Sequence, residues 1–191
     1  MGKQGSFIKR FTDIFFSVIT LIFSFPILVI AAIAIKLDSK GPVFFIQERS
    51  GVGGKPFKMI KLRGMVNNAS EIGPLLTLQN DPRITRVGKF LRRTSLDEIP
   101  QALNVLKGEM SIVGPRPEIL PITAGYSTEQ KEIFKYKPGI TGYSQVNGRQ
   151  TLSPAQRIEM ELAYYKNETF WSDLKIALCT FKVIVSNKGN I

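Results

Sequence analysis

The pattern of apolar and polar positions divides the chain into two unequal parts. From Ile14 to Ile35 there is no charged residue for 22 positions. As a straight helix this run spans about 33 Å, against a hydrocarbon core of roughly 30 Å. It is long for the apolar part of a cleaved signal peptide, and no small-residue cleavage site follows it, so it is expected to stay in the protein. Pro26 sits near its middle, where the ring removes one backbone hydrogen bond, and Ser24 offers a hydroxyl to a freed carbonyl, so a bend is expected there. Basic residues flank both ends: Lys3, Lys9 and Arg10 before the run; Lys36, Lys40 and Arg49 after it. The positive-inside rule therefore marks no outer end. Each arm beside Pro26 would reach about 18 Å, enough to dip into one leaflet and return. On residues alone, this re-entrant helix and a kinked membrane crossing stand level.

Beyond the run, the periodicity shortens. Pro42 to Ile46 and Phe57 to Leu62 read as two strands around the Gly51-Val52-Gly53-Gly54 turn, which gives a β-hairpin. Val87, Phe90 and Leu91 recur at helical spacing among Arg86, Lys89, Arg92 and Arg93, which suits either a membrane-surface helix or a core-facing one. Ser95-Leu96-Asp97-Glu98 has the spacing of a capping box, predicting a helix from Ser95 to about Lys107. Met110 to Val113 is a short strand candidate. Two loops rich in Pro and Gly follow, Gly114 to Pro117 and Lys137 to Gly142, and the second leads into Gln145 to Arg149. A helix opens at Ser153-Pro154, and an apolar one covers Trp171 to Val185. The fold class expected is α+β and rich in helix: amphipathic interfacial helices around one small hairpin, in a single catalytic domain over residues 1–191, with 1–36 in the membrane and 37–191 outside it.

Charge and composition narrow the chemistry. The formal net charge is +11, which favours polyanionic partners: nucleic acid, anionic headgroups or phosphorylated substrates. There is no histidine, and Cys179 is the only cysteine. An intrachain disulfide and a multi-cysteine zinc site are thereby excluded, along with the commonest general base. Catalysis must use carboxylates, Lys, Arg, hydroxyls or a borrowed metal ion.

Asp97 and Glu98 follow Arg92 and Arg93, and the two Pro/Gly loops carry Arg116 and Arg149. A carboxylate among cations suits phosphoryl transfer, because aspartate can attack phosphorus if neighbouring cations offset the charge. Mg²⁺ is the metal such a site would take, through one or two carboxylates and substrate phosphates. Read locally, an acidic first turn is more often simply a capped helix start. Lys61 and Arg63 have the competing reading of a solvated strand face.

Taken in order, the motifs resemble those of the bacterial sugar transferase family, the monotopic phosphoglycosyl transferases. They are Phe7-x-Lys9-Arg10-x-x-Asp13, the Pro26 helix, Gln47-x-Arg49-x-Gly51, Lys61-Leu62-Arg63 and Asn80-Asp81-Pro82-Arg83. Ser95 to Gln101, Asn104 to Ser111, Gly114 to Glu118 and Lys137 to Arg149 complete the series over almost the whole chain. Gly64 departs from the pattern, standing where a hydroxyl residue usually follows Lys-x-Arg. So does Phe25, which stands where a serine usually precedes the proline.

The resemblance implies a re-entrant helix broken at Ser24 and Pro26, at the cytoplasmic face of a bacterial inner membrane. It also implies transfer of a sugar-1-phosphate from a UDP-sugar to polyprenyl (undecaprenyl) phosphate, which initiates glycoconjugate or exopolysaccharide assembly. In that scheme Asp97 is the nucleophile of a ping-pong reaction and Glu98 assists as metal ligand or base. Both approach Mg²⁺, while Lys61, Arg63, Arg92, Arg116 and Arg149 contact substrate. Membrane lipid is an expected partner and nucleic acid is not. The rivals are a basic membrane- or nucleic-acid-binding module with no dependence on Asp97, and a direct transfer between two bound substrates.

Overall fold

In a computed structural model the chain is described at residues 7–74, 76–78, 80–147 and 153–186. Helix α1 runs Phe7–Asp38. Strands β1, Phe44–Ser50, and β2, Pro56–Leu62, pair antiparallel, with Phe45 opposite Lys61 and Arg49 opposite Phe57. Gly53 and Gly54, both at positive φ, form the tight turn between them, as their position predicts. Then come α2, Arg86–Thr94; a single 3₁₀ turn, Leu96–Glu98; and α3, Gln101–Lys107. β3, Ser111–Val113, pairs parallel with β4, Gly139–Thr141, an element not expected inside a Pro/Gly loop. Short helices α4, Leu120–Ala124, and α5, Tyr143–Asn147, precede α6, Pro154–Tyr165, and α7, Phe170–Ser186. Helix α6 has the capping box that Ser153 announces, closed by Gln156.

Helix α1 stays helical through Pro26. Ser24 Oγ donates to the Thr20 carbonyl at 2.6 Å, four residues back, rather than to the Ile22 carbonyl that Pro26 leaves without its usual donor. Most of the helix surface is exposed and apolar, including Phe15, Phe23, Phe25 and Ile30. The buried positions Asp13, Ser17, Ser24, Ala31 and Ile35 form one stripe along it. It is the only helix among the described residues long and apolar enough to cross a membrane.

Both ends of α1 are tied to the globular part by polar side chains. At the start, Arg10 donates to the Val105 and Leu106 carbonyls at 2.6 and 2.9 Å, capping the end of α3. Asp13 accepts from Ser111 Oγ and from the Ile112 N–H, at 2.8 and 3.0 Å. Lys9 pairs with Asp173 on α7. At the far end Arg63 donates to the Ser39 and Lys40 carbonyls, each at 2.7 Å, and Asp38 accepts the Val87 N–H that opens α2 at 2.9 Å.

Between these ties, Ala31 and Ile35 pack on Leu62 and Leu91. Helix α2 is thus core-facing through Leu91, while Phe90 on its other side stays exposed. Gly88 lets α2 approach the end of β2: a Cβ there would stand 1.9 Å from the Gly64 carbonyl oxygen. Gly88→Ala is therefore expected to force α2 outward and to destabilise the protein by about 1–3 kcal/mol, measured as a lower thermal melting point in detergent.

Candidate active site

The expected capping box does not form. Ser95 lies in the left-handed region at φ 57° and ends α2, its N–H donating back to Arg92 and Leu91 carbonyls. Ser95 still precedes the 3₁₀ turn and its carbonyl accepts the Glu98 N–H, but in this conformation, away from the extended backbone usual at an N-cap, its hydroxyl makes no capping hydrogen bond. Asp97 and Glu98 instead occupy the 3₁₀ turn between α2 and α3, and α3 begins only after Pro100. The turn brings both carboxylates among the cations of two other elements.

Lys61 Nζ on β2 donates to Glu98 Oε1 at 2.7 Å. Lys61 and Arg92 are the cations that act on Asp97, whose carboxyl is buried. The relation of β2 to this turn is set by Asn104, which is fully buried and pairs with the strand edge as another strand would. Its side chain accepts the Ile60 N–H at 3.1 Å and donates to the Lys58 carbonyl at 2.7 Å. Its amide also donates to Glu109 at 2.7 Å, so little of its hydrogen-bonding capacity is left unused.

A cleft opens beside the pair, walled by Arg49, Lys61, Glu98, Gln101, Arg116 and Gln145. Arg116 is exposed on the Gly-Pro-Arg-Pro loop. That loop is held from behind by Glu161, which accepts the Arg116 N–H at 3.0 Å and the Ser144 hydroxyl. Behind the loop lies a separate hollow of about 30 Å³, lined in part by Tyr126, Phe134, Arg157 and Glu161, with room for roughly one water.

The substrate residues expected from sequence separate into three groups. Lys61, Arg92 and Arg116 stand around the carboxylates or on the cleft. Arg63 is buried with its guanidinium committed to the end of α1. Because β2 stops at Leu62, the alternation that would place residues 61 and 63 on one face ends there. Arg149 lies outside the described residues. Sequence reasoning missed Arg49, Gln101 and Gln145 as cleft residues and Asn104 and Glu161 as supports. Arg49 was the most accessible of these, since it shares the strand face of Lys61 within a quoted motif.

Burial and the adjoining Glu98 charge push the Asp97 carboxyl up to about 6, against the relief given by Lys61 and Arg92. Burial, reinforced by Arg116, lowers Arg49 to about 10. Burial also lowers Arg92 and raises Glu161 to about 7. In the Asn-Asp-Pro-Arg motif, Asp81 is held below the usual carboxylate range by hydrogen bonds from Arg83.

Two adjacent carboxylates, with the Glu98 charge opposing ionisation of Asp97, fit a divalent cation. Mg²⁺ characteristically takes one or two carboxylates and completes its shell with water and substrate phosphate. Among the described residues no cluster of three acidic ligands exists, so such an ion would be shared with substrate.

The site gathers two carboxylates and several cations at one cleft, on a fold that carries, among the described residues, one membrane-sized helix. The chain belongs to the bacterial sugar transferase family, whose sequence profile matches residues 4–187. It is 43% identical over 192 residues to the UDP-glucose:undecaprenyl-phosphate glucose-1-phosphate transferase of Escherichia coli, covering 94% of this chain and 40% of that protein. It is 38% identical over 205 residues to the undecaprenyl-phosphate galactose phosphotransferase of Salmonella typhimurium, covering 99% of this chain and 43% of the relative. The chain thus spans about two fifths of the length of these relatives. Against the uncharacterized sugar transferase EpsL of Bacillus subtilis it is 37% identical over 182 residues, covering 95% of this chain and 89% of that protein.

The raised Asp97 value has a consequence for stability. Below the unfolded value of 3.8 the carboxyl is neutral in both states, and its favourable burial is lost as pH rises through about 6. Asp97→Asn is therefore expected to melt a few degrees above wild type near pH 8, with the difference closing towards pH 4 in a pH series of thermal melts.

Proposed function

We propose that this chain transfers a sugar-1-phosphate from a UDP-sugar to polyprenyl phosphate, at the cytoplasmic face of a bacterial inner membrane. The observation that carries the reading is the buried Asp97 beside Glu98, flanked by Lys61 and Arg92, in a chain of this family. The relatives' printed names supply the donor and acceptor classes.

In the first half-reaction an Asp97 carboxylate oxygen attacks the β-phosphorus. The bond from that phosphorus to the bridging oxygen breaks, UMP leaves with the electron pair, and an aspartyl phosphosugar forms. In the second, an oxygen of polyprenyl phosphate attacks the same phosphorus. The acyl phosphate bond then breaks, returning the Asp97 carboxylate and giving polyprenyl diphosphate sugar. Lys61 and Arg92 offset charge on the carboxylates and the phosphoryl group. Glu98 is positioned to act as a metal ligand or base, and Arg116 to grip phosphate from the cleft rim. Mg²⁺, held by Asp97 and Glu98, would supply Lewis-acid neutralisation of the phosphoryl oxygens.

Attachment of both ends of α1 to one globular part supports the re-entrant reading over a crossing. At 32 residues the helix could extend about 48 Å. Were it to cross, Val87 and Val105, which mark its two attachment points, would fall on opposite sides of the bilayer. The segment between them carries Lys89, Arg92, Arg93, Asp97 and Glu98, whose passage through hydrocarbon is prohibitive. Both ends therefore belong on the same side, with the exposed apolar surface of the helix in lipid. Leu174, Leu178 and Phe181, which share one exposed face of α7, extend the lipid contact.

Two experiments test these statements. Detergent-purified protein with Mg²⁺ and polyprenyl phosphate should release UMP from one or more UDP-sugars, and Asp97→Asn or EDTA should reduce the rate by at least about 10³-fold. Full activity in either condition contradicts the mechanism. For topology, single cysteines placed at Phe7 and Lys40 in a Cys179→Ser background should both react with an impermeant thiol reagent from the cytoplasmic side alone. Labelling of the two from opposite sides would establish a crossing.

A further inference from the structure

Arg49 is a charged group for which the reaction described so far has no task. It projects from β1, with one terminal nitrogen donating to the Pro117 carbonyl at 3.2 Å and the other to Gln47 Oε1 at 2.7 Å. Its Nε is buried without a partner. Arg116 stands close enough to act on it as a like charge, and both side chains line the cleft. Among the described residues neither guanidinium has a carboxylate oxygen within ion-pair distance. The two nearby acids bond other cations, Glu118 with Arg157 and Glu98 with Lys61. Glu118 and Glu98 partly offset the charge on Arg49 without pairing with it, and the two guanidiniums over one cleft are arranged for an anion from outside.

The hairpin register says which cations share the cleft. Lys61 lies opposite Phe45, and Arg49 is four residues further along β1, so Lys61 and Arg49 share one face of the hairpin. Their backbones stand about 14 Å apart along the strand direction. Lys61 serves the carboxylate end, where the β-phosphorus is attacked. Arg49 and Arg116 reach the same cleft from the other end of that face, so the second phosphate of a nucleoside diphosphate sugar, joined to the attacked phosphorus through one oxygen, lies within their reach.

We propose that Arg49 and Arg116 together form the seat of the departing nucleotide's phosphate. When the bond between the β-phosphorus and the bridging oxygen breaks, the electron pair moves onto that oxygen, and the leaving group gains a negative charge. Fixed guanidinium donors beside it act where charge develops, without reorganisation. The tie from Arg49 to Pro117 also joins the two arginines' supports into one rim. Arg49 remains cationic at neutral pH despite its burial.

The inference rests on the phosphosugar-transfer reading, and its test separates the two. UMP binding to the detergent-purified full chain is titrated for wild type, Arg49→Gln, Arg49→Lys, Arg116→Gln and the Arg49→Gln/Arg116→Gln pair, alongside kcat/KM for donor and acceptor and the melting point. The expected result is a loss of UMP affinity of about 10- to 100-fold in Arg49→Gln, with a smaller loss in Arg49→Lys. The kcat/KM for polyprenyl phosphate, which in a ping-pong reaction reports only the second half-reaction, should stay within about twofold of wild type, and the pair should lose less than the sum of the singles because both groups bind one anion. UMP affinity within about twofold of wild type in a folded Arg49 variant overturns the site. So does a uniform fall in every parameter together with the melting point, and if Arg49→Gln does not fold, Arg49→Lys decides. Wild type that turns over UDP-sugar while the Arg49 variants keep their UMP affinity sinks this proposal alone. Wild type that neither binds UMP nor releases it sinks the transferase reading as well.

Discussion

A helix whose surface is mostly apolar can hold a polar partner at few places, and here those places are its two ends, where hydrogen bonds to helix and strand termini join α1 to the globular part. Arg63 closes the end of α1 with hydrogen bonds to the Ser39 and Lys40 carbonyls. Arg10, on the first turns of α1, does the same for the end of α3. Asp13 takes an N–H of β3, and Asp38 takes an N–H of α2. The Arg63, Arg10 and Asp38 ties join the long helix to β2, α3 and α2, the elements that flank the 3₁₀ turn. The long helix is therefore part of the scaffold that holds Asp97, in addition to being a means of attachment.

From that frame the site follows by short steps. Arg63, anchored on α1, continues directly from β2, which carries Lys61. Asn104 then couples β2 to α3, and the turn carrying Asp97 and Glu98 leads into α3. A displacement at the helix end would thus reach the Lys61–Glu98 pair through two hydrogen-bonded contacts. The Gly88 and Gly64 backbones, in close contact, fix the remaining side, where α2 delivers Arg92. Gly64, unusual after a Lys-x-Arg motif, is explained in part by this packing: a Cβ there would stand 3.3 Å from Arg92 Nε, so a larger residue would lean on that cation.

Much of this was legible in the residues, and the parts that were not share a physical cause. The length of the apolar run, the Gly-rich hairpin turn and the Ser153 cap each report a local constraint that tertiary structure does not override. The Ser95 motif misled because the same residue can begin one helix or end another, and Arg92 and Leu91 had already claimed its N–H. The resemblance assigns Arg63 to substrate, yet its guanidinium is spent on the Ser39 and Lys40 carbonyls, a long-range contact. The tasks of Asn104 and Glu161 were not legible because they lie in long-range bonds, to β2 and to the Arg116 loop, that no local pattern encodes. The dyad itself was visible, although its chemical reading came from the ordered set of motifs: locally, an acidic pair after serine is ordinary.

The account turns on Asp97 becoming covalently attached to the phosphosugar. The most direct measurement is the intact mass of the detergent-purified protein after brief exposure to its UDP-sugar and Mg²⁺ without polyprenyl phosphate, with peptide mapping of the adduct. The account predicts a mass gain of one sugar-1-phosphate, located on Asp97 and discharged when polyprenyl phosphate is added. Stoichiometric UMP release seen only with the acceptor present, and no adduct under any quench, would contradict it in favour of direct transfer between two bound substrates.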